Sequence, residues 1–376
     1  MSESARGTIA GNLTFSKRKV GQCARWQKKQ ISVPTSAQSS QREKYLVAVQ
    51  AWNALSDEEK FVYIQNAKYL GMSGYNLYVQ ENINFEPEIG FAYIAGGATQ
   101  KVWKLQKSDL AKVAESAAYG HDFYCLIMDA DFVYAGGSVV RKVYKYQKSD
   151  LVKVAESAAY GGTIYALAED ENFVYVGGDT SRKVWKLQKS DLVKVAESAA
   201  YGSTIRALAE DENFVYVGGD TPRKVWKLQK SDLVKVAESA AYGSTIIALA
   251  EDENFVYAGG ATTQKVWKLQ KSDLVKVAES AAYGSTIYAL AEDENFVYAG
   301  GATTQKVWKL QKSDLVKVAE SVDFGGYIMA IGQDETFIFI GGYGLWKVWK
   351  LQKSDLVKVA ESVSYNGFIQ GIEAES

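Results

Sequence analysis

TIYALAEDENFVYVGGDTSRKVWKLQKSDLVKVAESA, residues 163–199, holds four short β-prone runs separated by turn residues. Thr163–Ala168 is the first, and Glu169-Asp170-Glu171-Asn172 is too polar and β-poor to prolong it. Phe173–Val176 is the second, closed by Gly177-Gly178. Lys183–Gln188 is the third, ending at the turn Lys189-Ser190-Asp191, and Leu192–Ala196 is the fourth. Val, Ile, Tyr and Trp fill these runs, and a Gly pair stands where a helix would have its middle, so the segment predicts an antiparallel meander and excludes a helical repeat.

The same unit recurs along residues 91–376. The motif K-x-x-K-x-Q-K-S-D-L returns seven times, and its aromatic falls every 41 residues, at Trp103, Tyr144, Trp185, Trp226, Trp267, Trp308 and Trp349. A lone four-stranded sheet with apolar groups on both faces cannot bury them, so the copies must stack face to face around an axis. Four strands in about 41 residues fit a propeller blade better than a coil of a parallel solenoid. The seven strand aromatics are expected to pack in equivalent wedges between blades. The repeats begin at a second strand, Phe91, and end at a first strand, Phe368–Glu373. Seven full blades therefore require the C-terminal strand to join the first three, which closes the ring and removes its open edges. This arrangement resembles the closure of seven-bladed propellers of the WD, kelch and quinoprotein-like families. The likeness is architectural: the Trp-Asp dipeptide of WD repeats and the kelch signatures are absent, and Gly-His occurs once, at Gly120-His121, instead of recurring with the repeat.

Composition agrees with one large core and a small second unit. The 376 residues are 47% hydrophobic and 12% aromatic, without the bias of a disordered chain. The formal net charge of −1 hides a division, because residues 1–50 carry nine Lys or Arg against two Glu. No signal-peptide core and no run of roughly 20 apolar residues is present, which predicts a chain neither Sec-exported nor inserted in a membrane. Cys23 and Cys125, one in each region, offer no disulfide framework and no metal-site spacing.

Residues 1–82 read as a basic, helical N-terminal domain and 83–90 as a linker. Gln41–Leu55 sets Tyr45, Leu46, Val49 and Trp52 at helical spacing. Ser56-Asp57-Glu58-Glu59 is a capping box that starts a second helix, running from Asp57 to about Tyr69 and stopping near Gly71. Gly74–Val79 then leads toward the repeats. The run Trp52–Lys60, with Tyr63 and Ala67, resembles the second helix of an HMG box, but the wedging first helix and basic tail of that family have no counterpart. Ser36-Ala37-Gln38, Gln41-Arg42, Ala51–Ser56, Glu59-Lys60 and Ser73–Asn76 together are similar to a small module of tailed-virus structural proteins, which implies a virion component. Lys17, Arg18, Lys19, Arg25, Lys28 and Lys29, with Phe15 and Trp26 nearby, are candidates for anchoring to an assembly or following a phosphate backbone. Nucleic acid is the less favoured partner, because charge clusters of this size are common on surfaces.

A nearly seven-fold ring supplies one residue seven times, whereas catalysis needs different residues converging on one point. His121, the only histidine, reads as an exposed loop substitution with no Ser-His-Asp or metal-ligand set around it. The Gly-Gly pairs read as turns, not phosphate loops, and the Glu-Asp-Glu-Asn loops lack calcium-site spacing. No enzyme activity, no metal and no cofactor is expected. Variation gathers on one face, where the second-to-third and fourth-to-first strand connections emerge. The second residue of the first strand reads Tyr124, Tyr165, Arg206, Ile247, Tyr288, Met329 and Gln370. With Arg182, Arg223, Tyr343 and Trp346 in the loops, Tyr124, Tyr165, Arg206 and Tyr288 form the candidate ligand or partner face. The sequence thus predicts a non-enzymatic virion protein of the decoration, fibre or tail-associated kind, made in the host cytoplasm. It would be held to other virion proteins by residues 1–82 and would display the propeller toward a host surface protein or glycan. The alternative is an intracellular scaffold whose propeller holds protein partners, with nucleic acid bound by the N-terminal domain.

Overall fold

The computed structural model of the chain describes residues 49–70, 73–82, 90–97, 100–139, 141–344 and 346–375, together with the backbone of 6–9, 13–18 and 21–26. The chain divides into two compact units, Met1–Ile89 and Gly90–Ser376.

In the first unit Arg6–Ile9, Leu13–Arg18 and Gly21–Trp26 form a three-stranded antiparallel sheet, an element the sequence pattern does not announce. Residues 49–54 are helical, while 41–48 of the expected helix lie outside the described residues. The next helix, Asp57–Leu70, begins at the predicted capping box: the Ser56 N–H donates to Glu59 Oε2 at 2.8 Å and the Glu59 N–H donates to Ser56 Oγ at 3.2 Å. Gly74–Asn82 is a further helix, not merely a lead toward the repeats, and Ser73 caps it. Gly74 lets the two helices approach, since a Cβ there would lie 2.7 Å from the Ile64 backbone nitrogen. Trp52, Tyr63, Tyr75 and Tyr78 pack edge to face around this crossing.

The second unit is a seven-bladed β-propeller. In its third blade strand a is Ile164–Glu169, strand b Phe173–Gly178, strand c Trp185–Gln188 and strand d Lys194–Glu197, all antiparallel in the order a-b-c-d. The a strands line the central channel and d strands form the rim. Blade 1 is closed by the C-terminus as expected: Ile369–Ala374 pairs with Phe91–Gly96, beside Val102–Gln106 and Lys112–Glu115. One apolar cluster fills each of the seven blade interfaces.

Three local features differ from the sequence expectation. The Gly pairs are not turns; Gly177 and Gly178 end strand b and face a bulge in strand a between Ile164 and Ala166. A Cβ on Gly178 would meet the Thr163 carbonyl oxygen at 2.0 Å, so the pair exists for close approach. Strand d starts at Lys194 because Leu192 adopts the left-handed region (φ 59°), where its N–H donates to the Gln188 carbonyl. The equivalent leucine does so in every blade, and burial of its side chain, about 1.5–3 kcal/mol, offsets a conformational cost of about 1–2 kcal/mol. Finally, the strand c aromatics do pack one to each blade interface as expected, but they are not its most deeply buried side chains. The fully buried large side chains include Tyr175 on strand b and Tyr160 in the d-to-a connection. Trp185 packs edge-on to Tyr160 at 5.0 Å and is only half-buried, with Lys194 4.4 Å above its ring.

Candidate functional site

The two ends of the channel differ in kind. At the end where the a-to-b and c-to-d turns emerge, the seven repeats hold their residues nearly constant, and charged groups are spent on holding blades together. Lys186 on strand c reaches across the interface and donates to the Lys230 carbonyl at 2.7 Å. Its counterparts repeat this contact in all seven interfaces, at 2.6–3.0 Å, including Lys350 to Lys107 across the closing seam. The amine of Lys230 in turn lies 3.2 Å from Asp170 of the preceding blade, pairs with Glu210 of its own, and sits over the Tyr175 ring. Burial works against the Asp170 carboxylate, but the Tyr175 hydroxyl, the Asn172 N–H and Lys230 hold it below the usual carboxylate range. Burial pushes Glu169, Glu210, Glu251 and Glu292 up. These carboxylates ring a wide funnel of about 2100 Å³, yet each already has a lysine partner. Among the described residues no group of three or more His, Cys, Asp or Glu is placed to hold a metal ion.

This clamp is what composition and motif reading missed. Its signal was present: the lysines equivalent to Lys186 and Lys189 are invariant in all seven strand-turn units, more constancy than a solvated face requires.

The opposite end, with the b-to-c and d-to-a connections, is where the repeats differ. Position two of strand a brings Tyr124, Tyr165, Arg206, Ile247, Tyr288, Met329 and Gln370 around one cavity of about 510 Å³ at the channel mouth. Phe368, Tyr124 and Tyr165 stack successively, at 6.2 and 5.5 Å between centroids. Arg206 continues the series with its guanidinium carbon 4.5 Å from the Tyr165 ring centre. Asp220, which opens the b-to-c connection, accepts from Arg206 Nε at 3.2 Å and Nη2 at 3.4 Å. On the other side Tyr288, Tyr327 and Tyr343 form a second arc, at 6.4 and 6.0 Å. Below them Glu373, where other blades have Ala, Ile or Gly, lies against the channel wall; burial and the charge of Glu169 push its carboxyl up to about 8.

Of the residues singled out in the sequence, Tyr124, Tyr165, Arg206 and Tyr288 therefore share the mouth. Arg182, Arg223 and Trp346 do not line it. They occupy one equivalent, left-handed position of the b-to-c connection, exposed on the outer part of that face. Tyr343 joins the aromatic arc at its edge, 58% exposed. Phe368 and Asp220 were not singled out as site residues: Phe368 immediately precedes the closing strand, and Asp220 opens a varied b-to-c connection.

His121 is buried, with 2% exposure, where an exposed loop residue was expected. Blade 2 carries Tyr144 in place of Trp, and the imidazole fills the space, stacked on Tyr144 at 5.5 Å and against Phe123 at 4.8 Å. Its Nδ1 lies 3.3 Å from the Asp122 carbonyl, while Nε2 has no partner among the described residues.

No family model matches the chain, and no curated protein matches it. Among solved structures, that of the computationally designed Ika8 protein is similar over 76% of this chain and 90% of its own, with a TM-score of 0.60 and 14% identity. The likeness is one of fold alone.

In the N-terminal unit, Lys17, Arg18 and Arg25 fall within the three-stranded sheet, but their side chains lie outside the described residues, as do Lys19, Lys28 and Lys29 entirely. Among the described residues no helix is long and apolar enough to cross a membrane.

Proposed function

We propose that the protein is a non-enzymatic binding and structural component, in which the propeller presents the varied channel mouth to a partner while a constant scaffold holds it. One observation carries this: seven equivalent positions converge on one cavity, and they are occupied by aromatic, guanidinium, aliphatic and amide groups around an otherwise repeated ring. Tyr and Arg on a rigid frame lose little conformational freedom on binding, which favours them as anchors. The finer reading is a virion protein of a tailed virus, of the decoration, fibre or tail-associated kind, attached through residues 1–82 and displaying the propeller toward a host surface. It rests on the likeness of Ala51–Ser56, Glu59-Lys60 and Ser73–Asn76 to a module of such proteins. The test is whether the chain co-purifies with particles at a fixed copy number, and whether Tyr124→Ala with Arg206→Ala weakens their adsorption without lowering that number. Absence from particles removes the virion role.

The excess of positive charge in residues 1–50 favours a second reading, an intracellular scaffold with nucleic-acid binding by residues 1–82. Full-length chain that is retained on DNA at low salt and released as salt rises supports it. Absence of retention at low salt removes its nucleic-acid part.

A further inference from the structure

We propose that the channel mouth is a subsite for an uncharged, hydroxylated ring, a pyranose unit of a glycan, with Arg206 as its principal hydrogen-bond donor; this rests on reading the varied face as the binding face. Arg206 is fixed in two directions at once. The Asp220 carboxylate holds the Nε and Nη2 side of the guanidinium, and the Tyr165 ring supports its plane. Nη1 has no hydrogen-bond partner among the described residues, and the side chain is 35% exposed. A donor oriented in this way requires little ordering when a ligand oxygen arrives.

Charge selects against ions. Among the described residues, Arg206, Asp220 and Glu373 are the only charged side chains lining this cavity. Asp220 already neutralises Arg206, so an anion meets the Asp220 carboxylate beside its would-be partner, and a cation meets the guanidinium. A neutral oxygen avoids both penalties. The aromatic groups select further. Phe368, Tyr124 and Tyr165 spend their faces on one another, at interplanar angles of 5° and 28°. A flat aromatic ligand therefore finds few free faces, whereas the electropositive ring edges and the phenol hydroxyls suit the oxygens of a hydroxylated ligand. The cavity volume of about 510 Å³ lies in the range of small-molecule sites. Because Arg206 occurs in blade 4 alone, there is one such site per ring, in contrast to seven equivalent ones.

The experiment is an array of neutral and acidic glycans probed with full-length chain, biotinylated and tetramerised on streptavidin to gain avidity. The expected result is retention on neutral glycans that changes little between roughly 50 and 500 mM salt. Retention should fall about tenfold or more in Arg206→Ala, with a smaller fall in Arg206→Lys, which keeps a donor but not the fork. Both variants should melt as the parent does. The assignment is overturned if no neutral glycan is retained, if acidic glycans alone are retained, or if Arg206→Ala and Tyr124→Ala bind as the parent does. Particle adsorption or protein capture that depends on Arg206 and Tyr124, with every glycan ignored, sinks the sugar assignment and leaves the binding face standing.

Discussion

His121 is the only imidazole in the chain, and burial among Tyr119, Phe123 and Tyr144 lowers its pKa. Burial outweighs the Asp122 carbonyl and charge, which alone would favour a proton, while Lys153 sits over the Tyr119 and Tyr144 rings and Glu156 is taken up by Lys142 and Lys153. An unfolded chain takes up a proton near pH 6.5, which the fold refuses, so stability falls as pH drops below that value and levels off below the lowered folded pKa. His121→Ser, with the residue found at this point in three other repeats, should remove that part of the acid loss. Melting temperatures of parent and variant at pH 7.5 and 5.5 check this, and the single imidazole signal in NMR reads its protonation directly. Glu373 works with the opposite sign. Its carboxyl is pushed up to about 8, so the fold keeps a proton that the unfolded chain releases, and stability is lost as pH rises from the ordinary carboxylate range through about 8. Glu373→Gln should melt higher than the parent at pH 9 and equally at pH 5. The position of His121 was not legible in the sequence, because its burial depends on Tyr144 replacing Trp in the facing strand. The gathering of Tyr124, Tyr165, Arg206 and Tyr288 was legible, since seven equivalent positions in a closed ring must meet at its axis. Arg182, Arg223 and Trp346 were grouped with them by their variability, which marks a face but not a distance from the axis.

At the scale of single elements, strand order and number followed from alternation and turns, while strand ends did not. Gly177-Gly178 looks like a turn because glycine is common there; here it continues the strand beside a bulge, and only the facing backbone explains it. Two alanine substitutions separate these meanings of glycine. Gly178→Ala drives a Cβ into the Thr163 carbonyl and should cost about 3 kcal/mol. Gly161→Ala, at φ 97° with nothing within 4 Å, meets only backbone strain and should cost about 1–2 kcal/mol. Thermal or urea midpoints of the two variants decide; equal shifts would refute the distinction. Strand d likewise begins two residues late because Leu192 is turned inward by a left-handed backbone that β propensity does not foresee.

Over the whole molecule, ring closure was legible because the repeats start and stop at different strands, and no other pairing gives seven complete blades. The seam it creates carries the most buried ion pair among the described residues. Lys107 and Asp334 are 2.7 Å apart with 5% exposure each, and Lys107 also donates to the Glu375 carbonyl. Blade 7 has Phe339 where blades 2–6 have a tyrosine that donates to the aspartate, so Asp334 leans on Lys107. Lys107→Met should therefore cost about 3–5 kcal/mol. Lys101→Met, which breaks an exposed pair with Glu115, should cost less than about 1 kcal/mol. Calorimetry of both variants checks the contrast. The lysine clamp has a further property, which is its sense of rotation. At five of the seven seams the strand c lysine, the aspartate and the strand b tyrosine of one blade grip a single lysine of the blade after it; from blade 1 Glu375 takes the place of the aspartate on Lys148, and from blade 7 Phe339 takes the place of the tyrosine. The grips run one way round the circle, so a ring that breaks has unlike ends, one losing the residues that do the holding and the other losing what was held. Fraying from the two ends is then chemically unequal, and the molecule has a leading and a trailing blade even though its blades are nearly copies of one another.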